Sequence, residues 1–136
     1  VIKTFCYLCH MVDSTLMLLA KVVLPQEVLE HFDIVDIQSS ETEIHIHMDE
    51  VINKNLQEDV HFESKGFIDP VRITDFPIRD HKVLLMLRRR RWIDTRTGHS
   101  FLLPLNIEAE GTRYSKEFAA FLKETYGNIP SDLPYV

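Results

Sequence analysis

A chain of 136 residues, 45 % hydrophobic and 26 % charged, is long enough to bury one core and too apolar for overall disorder. Its formal charge of −6 argues against a polyanion binder, but residues 1–66 carry 4 basic and 12 acidic side chains while residues 67–136 carry 11 and 9. A balance of −8 against +2 permits a local anion-binding patch, and it equally permits the acidic half to neutralise the basic half within the fold.

Residues 1–13 read as an extension outside the fold, 14–126 as a single α+β domain, and 127–136 as a tail marked by Pro130 and Pro134. The extension holds both cysteines, in Cys6-Tyr7-Leu8-Cys9-His10. That run matches haem c attachment and half of a zinc knuckle. Haem attachment needs export, and neither an uninterrupted apolar signal region nor a small-residue cleavage site is visible. Tetrahedral zinc needs a second knuckle, for which no further cysteine exists. Two cysteines are too few for a disulfide scaffold. The apolar runs near the N-terminus are broken by His10, Asp13 and Lys21, too short to span a membrane. The expected setting is the cytoplasm, with no membrane partner, no metal and no cofactor.

The domain opens with a helix, N-capped by Asp13 or Ser14 and carrying Leu16, Leu18, Leu19, Val22 and Val23. Pro25 suits the first turn of a second short helix, Gln26 to Phe32, with Val28, Leu29 and Phe32 as its apolar face. The period then changes. Ile34 to Ile37 reads as a strand, and Glu43 to Met48 alternates with Ile44, Ile46 and Met48 on one face and His45 and His47 on the other. The polar stretch from Gln38 to Thr42 makes the pair a hairpin.

Residues 49–66 are charged and read as a loop; Gly66, Pro70 and Pro77 then punctuate a segment with a short extended piece, Val71 to Ile73. His81 to Trp92 is a strand, Asp94 to Gly98 a turn, and Ser100 to Leu105 a returning strand. A last helix is capped by Ser115, has Glu117 in its first turn and Phe118, Phe121 and Leu122 as its stripe, and closes at Gly127. Helices at both ends thus flank a mainly antiparallel sheet.

Enzyme signatures are absent: H-E-x-x-H, G-x-S-x-G and G-x-x-x-x-G-K-[ST] do not occur, and four glycines leave little room for a phosphate cradle. His45 and His47 share a face, but no third ligand at comparable spacing completes a metal site, so they read as exposed-face histidines. The concentrated feature is Arg88-Arg89-Arg90-Arg91-Trp92 at the end of the apolar run Val83 to Leu87. Four adjacent guanidinium groups repel one another and require anions nearby. On a strand, Arg88 and Arg90 share a face with Trp92, while Arg89 and Arg91 point the other way. One face then tracks a phosphate backbone with Trp92 stacking, or Trp92 is core and carboxylates of the acidic half pair with the arginines.

Asp75-Phe76-Pro77-Ile78-Arg79, the strand Val83 to Trp92, Thr97-Gly98, Glu110-Gly111-Thr112-Arg113 and Glu117 to Leu122 together resemble the N-terminal-region proteins of ISAon-type insertion-sequence transposases. Leu24 to Val35 resembles the opening of that region, so the similarity covers about residues 14–124. The resemblance implies a bacterial mobile-element protein acting in DNA transposition and recombination. It implies the non-catalytic, DNA-binding front end of a transposase, assisting recognition of the element's terminal repeats, with the catalytic domain on a separate downstream chain. Where the wider pattern places a cysteine pair of a zinc ribbon after Trp92, this chain has Ile93 to Gly98 without a thiol. A ribbon-like hairpin held without metal is therefore implied. The expected DNA contacts are Arg88, Arg89, Arg90, Arg91, Trp92, Arg96, Arg113 and Lys116. The alternative is a protein-interaction module that docks on the catalytic transposase subunit through an acidic face around Glu41, Glu43, Asp49 and Glu50.

Overall fold

The structure, a computed structural model, describes residues 15–107 and 113–127. The Cys6–His10 run and the helix cap at Asp13 or Ser14 lie outside the described residues. Residues 15–23 are helical (α1), and the helix ends where Leu24 donates to the Ala20 carbonyl at 2.8 Å and Pro25 follows without an N–H. The expected second helix is only one turn, α2, Gln26–Leu29. Phe32, expected on its apolar face, instead begins strand β1 and is buried there. Residue 31 already donates back to Val28, and the β-branched, alternating run beyond it favours extension.

β1 (Phe32–Ser39) and β2 (Glu43–Glu50) form the expected hairpin, with Ile37 opposite Ile46 and a bulge at Val35. The Ser40 hydroxyl closes the turn by accepting from the Thr42 and Glu43 amides at 3.3 and 3.1 Å. The stretch expected to be a loop holds two elements. α3 (Lys54–Glu58) is capped by Asn53, whose side chain accepts from the Leu56 amide at 3.1 Å. β3 (Phe62–Phe67) follows. The Asn53 cap was the legible signal, and α3 buries no side chain, which is why hydrophobic periodicity did not reveal it.

The extended piece at Val71 runs on as β4 (Val71–Ile78), and the arginine strand divides into β5 (His81–Arg88) and β6 (Arg90–Asp94). β4 and β5 form a hairpin whose turn residues, Arg79 and Asp80, have φ of 48° and 63°. Positive φ at both central positions is the type I′ geometry that matches strand twist. Four strands make one sheet in the order β1-β2-β5-β4; three more make a second, β3-β6-β7, with β7 (Ser100–Phe101) reduced to two residues. The returning strand was expected to reach Leu105. Pro104 cannot donate to a ladder, and beyond Phe101 the chain turns to pack Leu105 and Ile107 on the core of the first sheet.

The central pair is parallel, which alternation alone does not reveal: Ile44 lies beside Val83, Ile46 beside Leu85 and Met48 beside Leu87. These residues, with Ile73, Phe32, Val28 and Leu24, form the core face. Because β5 has a strand on each side, Val83, Leu84, Leu85 and Leu87 are all buried. α4 (Lys116–Tyr126) packs against β4, where Phe76 meets Phe118 and Phe121 at ring-centroid distances of 4.9 and 5.5 Å. It is capped by Ser115 and closed by Gly127 in the left-handed conformation, as the sequence predicts. The whole is an α+β fold.

Two motif segments far apart in sequence meet at the start of α4. Thr74 donates to the Arg113 carbonyl at 2.8 Å and accepts from the Ser115 amide at 2.9 Å, so residues 113–115 run beside β4. The Ser115 hydroxyl donates to Asp75 at 2.7 Å, and both side chains are buried. Burial raises the Asp75 carboxyl above its ordinary range, with Glu117 and Glu27 adding to the rise and the Ser115 and Phe76 hydrogen bonds opposing it. A carboxyl raised in the native state binds more protons there than in the unfolded chain. Its ionised form therefore costs stability at neutral pH, and that cost fades as pH falls through the raised value. Asp75→Asn keeps an acceptor for Ser115 and removes the charge. Thermal melts are expected to show a higher Tm than the parent at pH 7, with the gap closing as pH falls into the carboxylate range.

Candidate nucleic-acid interface

The position of the arginines follows from apolar register. Matching Ile44, Ile46 and Met48 to Val83, Leu85 and Leu87 carries the parallel ladder on to Asp49 beside Arg88. Arg88 Nε and Nη2 each donate to one Asp49 oxygen at 2.6 Å, a two-pronged fork. The Arg88 guanidinium holds the Asp49 carboxyl below the usual carboxylate range. This pair is at the surface, the side chains being 46 % and 20 % exposed.

Arg89 stands at the junction of the two sheets, between β5 and β6, and its carbonyl accepts from the Ile68 amide at 3.0 Å. Its Nε donates to Glu50 at 2.6 Å and its Nη2 to the Leu103 carbonyl. The two side chains are only 11 % and 3 % exposed, so this is a buried ion pair. Arg90 Nε donates to the Glu50 carbonyl at 2.8 Å. The guanidinium carbons of Arg88 and Arg90 both lie over the Phe67 ring of β3, at 4.2 and 4.7 Å from its centroid. Arg91 is exposed.

Of the eight expected contacts, the structure gathers Arg88, Arg89, Arg90 and Arg91 at one corner where the sheets join. Arg96 sits in the β6–β7 turn, donating to both Asp94 oxygens at 3.1 Å. That turn is closed by the Asp94 carbonyl, which accepts from the Thr97 and Gly98 amides at 3.2 and 2.7 Å. Arg113 is exposed and Lys116 half-buried, both at the β4 edge beside Thr74. Thr74 pairs with Leu84, four residues back along β5 from Arg88, or roughly 13 Å.

Two expected contacts are corrected by burial. Trp92 is 1 % exposed, paired with Ser64 and Phe101 within the second sheet, so no nucleic-acid base can stack on it. Arg89 is committed to Glu50 and Leu103 and is a structural cation rather than a surface one. The acidic face proposed for a protein partner loses Glu50 for the same reason. The participants that sequence reading missed are Phe67, just past the stretch 49–66 read as a loop, and the specific pairing of Asp49 and Glu50. No local pattern encodes either.

A shallow groove of about 270 Å³ opens beside Arg88, lined by Asp36, Gln38, His47, Asp49, Pro70 and Met86 among others. His45 is engaged by Glu43 at 2.7 Å, and His47 Nε2 is buried without a hydrogen-bond partner. Among the described residues, no group of three His, Cys, Asp or Glu side chains is placed to hold a metal ion, and no helix is long and apolar enough to cross a membrane. Comparison of the chain with protein-family profiles, curated proteins and solved structures finds no match.

Proposed function

We propose that this chain is the non-catalytic N-terminal region of an insertion-sequence transposase and that it helps hold the element's terminal-repeat DNA at the arginine corner. The observation that carries this reading is the clamp of Arg88 and Arg90 on Phe67, with Arg91 exposed at the next position. Guanidinium groups fixed by a ring meet phosphates with little further loss of side-chain freedom. Two of the segments that resemble the transposase family also meet physically, through the Phe76–Phe118 contact.

The test is a mobility-shift titration with terminal-repeat DNA over a range of salt. Binding is expected to weaken steeply as salt rises. Replacing Arg90 and Arg91 together by alanine is expected to flatten the log–log slope by about two, since each phosphate contact contributes about 0.9. An unaltered slope overturns the reading.

A second reading, docking on the catalytic subunit, is favoured by α1. At 100° per residue Leu18, Leu19, Val22 and Val23 share a side turned away from the core, and all four are exposed. Co-purification with the catalytic chain in the absence of DNA, lost when Leu18 and Val22 become serine, distinguishes this role.

A further inference from the structure

We propose that Asp49 is a built-in stand-in for a DNA phosphate, occupying the Arg88 fork in the free protein and giving way when a phosphate of duplex DNA arrives. This inference rests on the reading that the arginine corner holds DNA, and it adds how that corner is regulated. The two acid–arginine pairs at the corner differ in kind. Arg89 and Glu50 are buried and tied into both sheets, so neither is free to exchange partners. Arg88 and Asp49 lie at the surface, where a pair contributes little net stability and a competing anion can reach the cation.

The geometry is that of the anion it replaces. Both Asp49 oxygens meet the Nε and Nη2 edge of Arg88 at 2.6 Å, the side-on mode in which guanidinium also binds phosphate. Phe67 supports the Arg88 guanidinium from its face at 4.2 Å, so the fork remains in place when the carboxylate leaves. The groove that Asp49 and Arg88 both line gives the incoming group an approach from solvent.

The exchange has a consequence in ion release. When Arg88 moves from Asp49 to a phosphate, the phosphate releases a counterion and the freed carboxylate recruits one. Arg88 then adds nothing to the salt slope of the native protein, and the uncovered carboxylate repels the DNA. Asp49 thereby restrains binding, so that only a duplex engaging the other cations of the corner displaces it.

The experiment measures anisotropy of a short labelled duplex over a range of salt, with the full chain and its variants checked for folding by thermal melt. Asp49→Asn is expected to bind roughly 5–10-fold tighter at low salt and with a slope steeper by about 0.9, the value for one further phosphate. Arg88→Ala in the native background is expected to leave the slope unchanged. The double variant is expected to lose the whole gain of Asp49→Asn, because that gain runs through the fork. Asp49→Ser serves as the second variant if the first does not fold.

Native affinity and slope in Asp49→Asn, while the Arg90 and Arg91 substitutions still flatten the slope, would overturn the exchange alone. A gain that survives in the double variant overturns it too, by showing a general charge effect. If neither the native chain nor Asp49→Asn binds the duplex at low salt, the DNA reading itself falls with it.

Discussion

Arg89→Ala is expected to cost about 3–5 kcal/mol of folding stability, the largest effect of any single charge at the arginine corner. The loss comes less from the missing attraction than from what it strands. Glu50 is almost wholly buried, and one of its oxygens already has no hydrogen-bond partner. Without Arg89 the other oxygen loses its donor, and the carboxylate is left desolvated and unpaired. The Leu103 carbonyl loses its donor as well. Urea denaturation read by circular dichroism measures this directly. Replacing both partners with methionine is expected to recover most of the loss, since a buried pair exchanged for apolar groups of similar length is often near neutral. A loss of only about 1 kcal/mol or less in Arg89→Ala would instead be the behaviour of a solvated surface pair and would overturn this expectation. Arg88→Ala, by contrast, is expected to change stability by about 1 kcal/mol or less, because its carboxylate partner stays hydrated.

Trp92→Ala is expected to cost about 3–5 kcal/mol by opening a cavity between strands of the second sheet. Trp92→Phe is expected to cost less, because the indole N–H has no hydrogen-bond partner to lose. Trp92 is also the single tryptophan, so it reports on its own surroundings. Its fluorescence is expected to be blue-shifted in the native state, to move to the red on unfolding in step with circular dichroism, and to remain unquenched when duplex DNA is added. Quenching by DNA without loss of fold would restore the stacking role that burial removes.

Much of this architecture is written in local pattern. Alternation of Ile44, Ile46 and Met48 against His45 and His47 marks β2 and its core face. Ser115 and Gly127 mark both ends of α4, and Asp94 with Gly98 marks the turn after the arginines. Errors fell where a local pattern is weak or interrupted. α3 buries nothing, and β3 is broken near Gly66, whose φ of 77° accompanies the register shift against β6. The strand from His81 to Trp92 has unbroken strand propensity, yet Arg89 divides it between two sheets. That division is a property of what lies on either side of the chain, not of the chain itself.

The arginine run shows the same boundary. Composition and spacing established that four guanidinium groups need anions, and that acidic residues in the first half were available to supply them. Which arginine takes which anion depended on the parallel register of β2 and β5, which joins residues 39 apart in sequence. That register is chosen by apolar side chains matching across the core, and the charges at the strand ends are carried along with it. It paired Arg88 at the surface and sank Arg89 beside Glu50, while the β3–β6 pairing, with Phe67 opposite Arg90, set Arg90 against that ring and Arg91 was left facing solvent. Charge alone treats the four as equivalent; burial makes them different, because the cost of an unpaired charge depends on the water around it.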